Sequence, residues 1–144
     1  MPNRLAYPVK LETDEDGRVV VTFPDLSWGV TDGADRAEAL IEAADCLEEM
    51  IAAHMRGKED LPRPSPPRGR PMVAPGALLT AKAALYLAVR EAGLGNVALA
   101  RRLACGETEV RRLLDPRHNS KIERLEKALP TLGKRLVVEV RDAA

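Results

Sequence analysis

Two short runs near the start of the chain, RLAYPVKLE at 4–12 and RVVVTF at 18–23, are rich in β-formers. The TDEDG between them carries the Asp-Gly of a tight turn, so the pattern predicts a β-hairpin. FPDL then turns the chain, Pro24 lacking a ladder donor, and WGVTDG predicts a third short strand ending at Gly33. Beyond it the apolar period lengthens. In ADRAEALIEAADCLEEMIAAHMRG, Leu40, Ile41, Ala44, Leu47, Ile51 and Met55 recur at helical spacing, which predicts a helix of about five turns. Asp35 is placed to cap its start, and Gly57 lies past its end.

The periodicity then stops. LPRPSPPRGRP at 61–71 holds five prolines and three arginines, which forbids a helix and predicts an extended segment with room for an edge strand around 70–74. ALLTAKAALYLAVREA at 77–92 reads as a second long helix, and Asn96 after GLGN is placed to cap another. SKIE fits a capping box, Ser120 with Glu123, ahead of Ile122, Leu125 and Leu129 on one helical face; Pro130 is expected to end that helix. KRLVVEV reads as a lone strand over 135–140, which needs a second strand for stability. The chain thus predicts an α+β fold: an acidic β-β-β-α(-β) domain over 1–60, a Pro/Arg-rich link over 61–76, and an all-α helix-turn-helix domain with a terminal strand over 77–144.

Charge sharpens this division. The chain is formally neutral, yet residues 1–60 hold 6 Lys+Arg against 14 Asp+Glu, and residues 61–144 hold 16 against 8. Balances of −8 and +8 bear on association rather than on folding, and they suggest that each half meets a partner of opposite sign. Aromatic residues are 3% of the 144, so small units packed with Leu, Val and Ala are expected rather than one large sandwich. Cys46 and Cys105 have no CxxC or CxxH neighbour, which argues against a zinc site or disulfide framework. No apolar run is long enough to span a membrane and no export leader is evident, so a cytoplasmic protein without membrane association is expected.

The stretch NVALARRLACGETEVRRLLD at 96–115 concentrates the charge. Leu99, Leu103, Cys105, Val110 and Leu113 occupy inward positions of two short helices, Ala100 is the small contact residue, and Gly106 falls in the turn. This is the spacing of a helix-turn-helix. Glu107, Thr108, Arg111 and Arg112 then fall on the exposed face of the second helix, where Arg can bond the O6 and N7 of guanine. Arg101, Arg102, Arg117, His118 and Lys121 are expected nearer the DNA backbone, contributing affinity more than sequence preference. One helix-turn-helix covers one half-site, so a homodimer or higher oligomer is expected, with Leu136, Val138 and Val140 of the terminal strand as its candidate interface.

These motifs together resemble a known family. YPVKLETDEDGRVVVTFPDLSWGVTDGADRAEALIEAADCLEEMI is similar to the N-terminal domain of HicB-type antitoxins, with its YP…DG hairpin, FPDL, V-T-x-G turn and EAL helix; LLDPRHNSKIERLEKAL and LGKRL resemble that family's helix-turn-helix form. The sequence departs from the pattern at Ser27, Trp28 and Pro130. The resemblance implies a partial RNase H-like N-terminal fold, a partner toxin of the HicA type that is a small basic mRNA-cleaving ribonuclease, and repression of its own operon through operator DNA. It makes Trp28, Asp25, Glu42, Asp45 and Glu49 candidate toxin contacts. No cofactor is implied.

Two other readings compete. A stand-alone helix-turn-helix regulator would use the N-terminal domain to sense a small ligand. A divalent-metal nuclease would use Asp14, Glu15, Asp16, Asp25, Asp32 and Asp35, but three of these sit at a hairpin tip and the others at turns or caps, where Asp serves local hydrogen bonding. Neither His54 nor His118 has a nucleophile or carboxylate companion nearby in sequence, so neither catalysis nor a metal site is expected.

Overall fold

A computed structural model describes residues 5–142, so residue 4 of the first expected strand lies outside it. The chain separates into two compact units, residues 1–80 and 81–144.

In the first unit, β1 (Tyr7–Pro8), β2 (Lys10–Thr13), β3 (Val19–Thr22), β4 (Val30–Gly33) and α1 (Arg36–Arg56) follow in order, and β5 (Met72–Val73) comes later. β2, β3 and β4 form an antiparallel sheet in that order, with Leu11 opposite Val21 and Val21 opposite Thr31. β1 pairs antiparallel with β5, Tyr7 opposite Val73. The strand expected over 4–12 is therefore divided. Val9 donates its N–H to Pro71 O at 3.0 Å, so the chain bonds the 71–73 segment first and β3 afterwards.

The hairpin closes as its sequence demands. The Asp14 carboxylate accepts from the N–H groups of Asp16 and Arg18, both at 2.9 Å, and Gly17 takes φ +79°, a region glycine enters without a Cβ clash. Asp35 caps α1 by accepting from Glu38 N at 2.8 Å, and Glu38 reaches back to Ala34 N.

The helix is turned differently from its apolar pattern. Ala39, Ala43, Leu47, Met50, Ile51 and Met55 are buried, whereas Ile41 is 63% exposed. The reason is the close approach at Gly33, where a Cβ would lie 2.4 Å from Ala39 N. A helix that meets a strand this tightly must present its small residues, and Ile41, two positions on from Ala39, is carried to the opposite side.

Segment 61–76 is bound along the same unit. Tyr7 Oη donates to Pro62 O at 2.7 Å, the Ser65 N–H and hydroxyl both donate to the Asp25 carboxylate, and Gly76 N donates to Glu48 Oε1 at 2.7 Å. Leu61 and Val73 are buried.

The second unit is helical: most of α2 (Ala77–Ala92), then α3 (Asn96–Leu103), α4 (Glu107–Leu114), α5 (Ile122–Ala128) and a 3-10 turn at Leu129–Leu132. Its core holds Leu85, Leu99, Val110, Leu113, Leu125 and Leu129. Two local expectations are corrected. Gly95, not Asn96, is the cap residue of α3, and no side chain bonds there. Ser120 does not cap α5, because its hydroxyl is engaged by Lys82, Arg112 and His118; Lys121 holds the cap position instead. α5 ends at Ala128, just ahead of Pro130 as expected, and the chain goes on through the 3-10 turn, near whose start the missing N–H of Pro130 leaves no bond unmade.

Residues 134–142 carry neither helix nor ladder, so the strand expected over 135–140 has no partner among the described residues. Leu136 is half-buried, while Val137, Val138 and Val140 are 71%, 75% and 92% exposed. Among its described residues the second unit contains no other strand to receive this one.

Candidate functional site

The turn between α3 and α4 brings the charged residues of the second unit onto short, closely connected helices. Ala104 closes α3 in the left-handed region, φ +53° and ψ 46°, with its N–H directed at Ala100 O and Arg101 O. Gly106, in the turn as its position predicts, has φ −81° and precedes α4 in an extended conformation. An alanine thus occupies the conformation in which glycine carries no Cβ penalty.

Leu99, Ala100, Val110 and Leu113 are buried as their spacing predicts; Leu103 and Cys105 are half-buried. Glu107, Thr108, Arg111 and Arg112 are all exposed on α4. Thr108, Arg111 and Arg112 stand at i, i+3 and i+4, one face of the helix. Arg111 pairs with Glu107 across one turn at 3.5 Å, both side chains about half exposed, so the pair is too weak to hold the guanidinium against a better acceptor. Arg101 and Arg102 end α3, and Arg117, His118 and Lys121 lie in the exposed loop between α4 and α5.

Arg102, Lys121, Arg124 and Lys127 share the wall of an open groove of about 670 Å³, together with Glu109 and Cys105. Arg124 pairs with Glu109 at 3.2 Å. The groove unites Arg102 and Lys121, which the linear sequence separates.

The sequence reading missed Lys82. In α2, Leu79, Lys82, Tyr86 and Val89 follow helical spacing, and all four are buried, Lys82 completely. Its ammonium donates to Arg112 O at 2.7 Å, Leu113 O at 3.3 Å and Ser120 Oγ at 2.8 Å. Burial pulls its pKa below the ordinary lysine value, with the negative charges of Asp115 and Glu109 opposing. A lysine within an apolar stripe was the available signal.

The first unit presents a different surface. Glu42, Asp45 and Glu49 are exposed on α1 at i, i+3 and i+7, beside Ile41. Glu48, the neighbouring carboxylate, is tied to Gly76. Asp25 is half-buried and holds Ser65, so its place is in anchoring the proline-rich segment. Trp28, in the turn ahead of β4, is 54% exposed, and Val30 on the edge strand is 60% exposed. Asp14 holds its hairpin and Asp32 pairs with Arg18 at 2.8 Å. Among the described residues no three His, Cys, Asp or Glu side chains converge as metal ligands would, and no helix is long and apolar enough to cross a membrane.

Fold and surface define a two-unit α+β protein, with acidic residues exposed on the helix of the first unit and arginines exposed on paired short helices of the second. Residues 6–84 match the family described as HicB_like antitoxin of bacterial toxin-antitoxin system. Among curated proteins, Antitoxin HicB 2 of Photorhabdus laumondii is 35% identical over 94% of this chain and 96% of its own length. Antitoxin HicB of Escherichia coli K12 is 31% identical over 92% and 96%, and that of Pseudomonas fluorescens 30% over 99% and 100%. The chain belongs to the HicB-like antitoxin family.

Proposed function

We propose that this chain is an antitoxin that binds and neutralises a HicA-type mRNA-cleaving ribonuclease and represses its own operon through the α3–α4 helix-turn-helix. It acts as a cytoplasmic homodimer or higher oligomer, without catalysis, cofactor or metal. The observation that carries this reading is family membership: relatives named HicB antitoxins align over both units, the arginine-bearing helices included.

The acidic unit, with Glu42, Asp45 and Glu49 on α1 and Trp28 exposed nearby in sequence, would mask the RNA-binding face of a basic toxin by charge and bulk. The partial RNase H-like shape that the family resemblance implies carries no nuclease activity with it. The basic unit would place α4 in the major groove, with Thr108, Arg111 and Arg112 toward base edges, Glu107 beside them, and Arg101, Arg117 and Lys121 toward phosphates. The exposed segment with Leu136, Val138 and Val140 would gain its missing ladder from a second copy, pairing two half-sites.

Co-expression with the product of the adjacent gene tests the reading. A recovered complex in which that product's RNA cleavage is suppressed supports the antitoxin. No complex and undiminished cleavage would overturn it and leave a regulator with a ligand-sensing first unit.

A further inference from the structure

On the DNA-binding reading proposed above, the placing of α4 decides which bases its arginines meet. α4 has only eight residues, and its N-cap, Gly106, offers no side-chain bond. Its C-cap residue, Asp115, supplies one long backbone bond, to Arg112 O at 3.3 Å. A helix of two turns leaves its last carbonyls without intrahelical partners and ends in negative partial charge. The Lys82 ammonium sits there. Its three N–H donors meet three acceptors: Arg112 O, Leu113 O and Ser120 Oγ.

We propose that Lys82 is the positioning residue of the DNA-reading helix: one buried ammonium on α2 fixes the rotation and axial position of α4 and, through Ser120, the loop that carries Arg117 and His118. Ser120 Oγ also lies 3.3 Å from Arg112 O and 3.0 Å from His118 Nδ1, so the network runs from the buried scaffold to an exposed ring beside the expected phosphate contacts.

The ammonium's three bonds offset the desolvation penalty of burying it, and its removal would leave Arg112 O, Leu113 O and Ser120 Oγ short of a donor. The charge does secure direction. Arg112 is held by its carbonyl on the inward side while its guanidinium is exposed on the outward side. A rotation of α4 by one residue, about 100°, would carry Arg111 and Arg112 away from the groove they are to read. Burial of Val110 and Leu113 resists a turn that large, but apolar contacts are non-directional and leave smaller rotations and axial slips open.

The test uses the full chain, a duplex spanning the region upstream of its own gene, and a scrambled duplex of equal length, with titrations at one salt concentration well below each variant's melting temperature. For Lys82→Met, affinity for the upstream duplex should fall about tenfold or more while affinity for the scrambled duplex stays within about twofold. Ser120→Ala, at the half-buried end of the network, should lower the same ratio by about threefold, and it decides the matter if Lys82→Met fails to fold. A loss of folded fraction lowers both affinities together and leaves the ratio unchanged, and that result overturns the proposal. Unchanged ratios with a sequence-specific wild type overturn it alone; a wild type that binds neither duplex overturns it together with the DNA-binding reading.

Discussion

Removing the hydroxyl of Tyr7 tests whether the proline-rich segment is part of the first unit's structure. The side chain is fully buried, and its Oη donates to Pro62 O at 2.7 Å. At neutral pH, Tyr7→Phe loses one buried hydrogen bond and leaves a carbonyl without its partner, a loss of about 1 kcal/mol. The same bond has a pH signature. Burial, and after it the Asp25 carboxylate, pushes the Tyr7 hydroxyl up to about 12. An acid whose folded pKa is raised contributes stability that is complete below its unfolded value, near 10, and that is lost as pH rises toward 12. The loss at pH 11 comes to about 1 kcal/mol after allowance for solvent screening, similar to the gain at neutral pH. Wild type should therefore be the more stable protein at pH 8, and the two should converge near pH 11. Urea unfolding followed by the fluorescence of Trp28, the only tryptophan and a reporter within this unit, measures the gap. An equal gap at both pH values would refute the reasoning, and so would the absence of any gap at pH 8.

Three further outcomes are expected. Gly33→Ala forces a Cβ to within 2.4 Å of Ala39 N and 2.7 Å of its Cα, backbone that cannot yield locally, so the urea midpoint should drop by an amount equivalent to about 3 kcal/mol; a wild-type midpoint would contradict the close approach of β4 and α1. Ala104→Gly relieves the Cβ strain of φ +53° but loosens the unfolded chain, and a net gain of about 0.5–1 kcal/mol should raise the thermal midpoint read by circular dichroism, whereas a lower midpoint would contradict the left-handed turn. Arg111→Ala should weaken binding to the upstream duplex by about 1–3 kcal/mol at fixed salt if it makes a bidentate base contact, and unchanged affinity removes it from that role.

Elements set by local chemistry were legible in the sequence. Asp-Gly marked the first hairpin, Asp35 marked the start of α1, and the long runs of α1 and α2 needed only their periodicity. The exposed arginines of α4 followed from the burial of Val110 and Leu113, because helical geometry sends the remaining positions outward. The acidic and basic halves required only counting.

Where a residue's role depended on a distant neighbour, the sequence pointed elsewhere. Ser120 had the spacing of a cap, yet a lysine 38 positions earlier takes its hydroxyl. Ile41 had the spacing of a core residue, yet the tight contact with Gly33 selected Ala39 for the interior. The proline-rich stretch had the composition of a free link, yet Tyr7, Asp25 and Glu48 each bind it. Sequence by itself determined which segments turn, coil or extend and how charge divides between the halves, since those depend on residues within a few positions of one another. Tertiary structure decided which face of α1 is buried, which side chains hold segment 61–76, and that a buried ammonium terminates α4. Those outcomes come from contacts between residues far apart in the chain, where packing distance and unpaired polar groups override local preference.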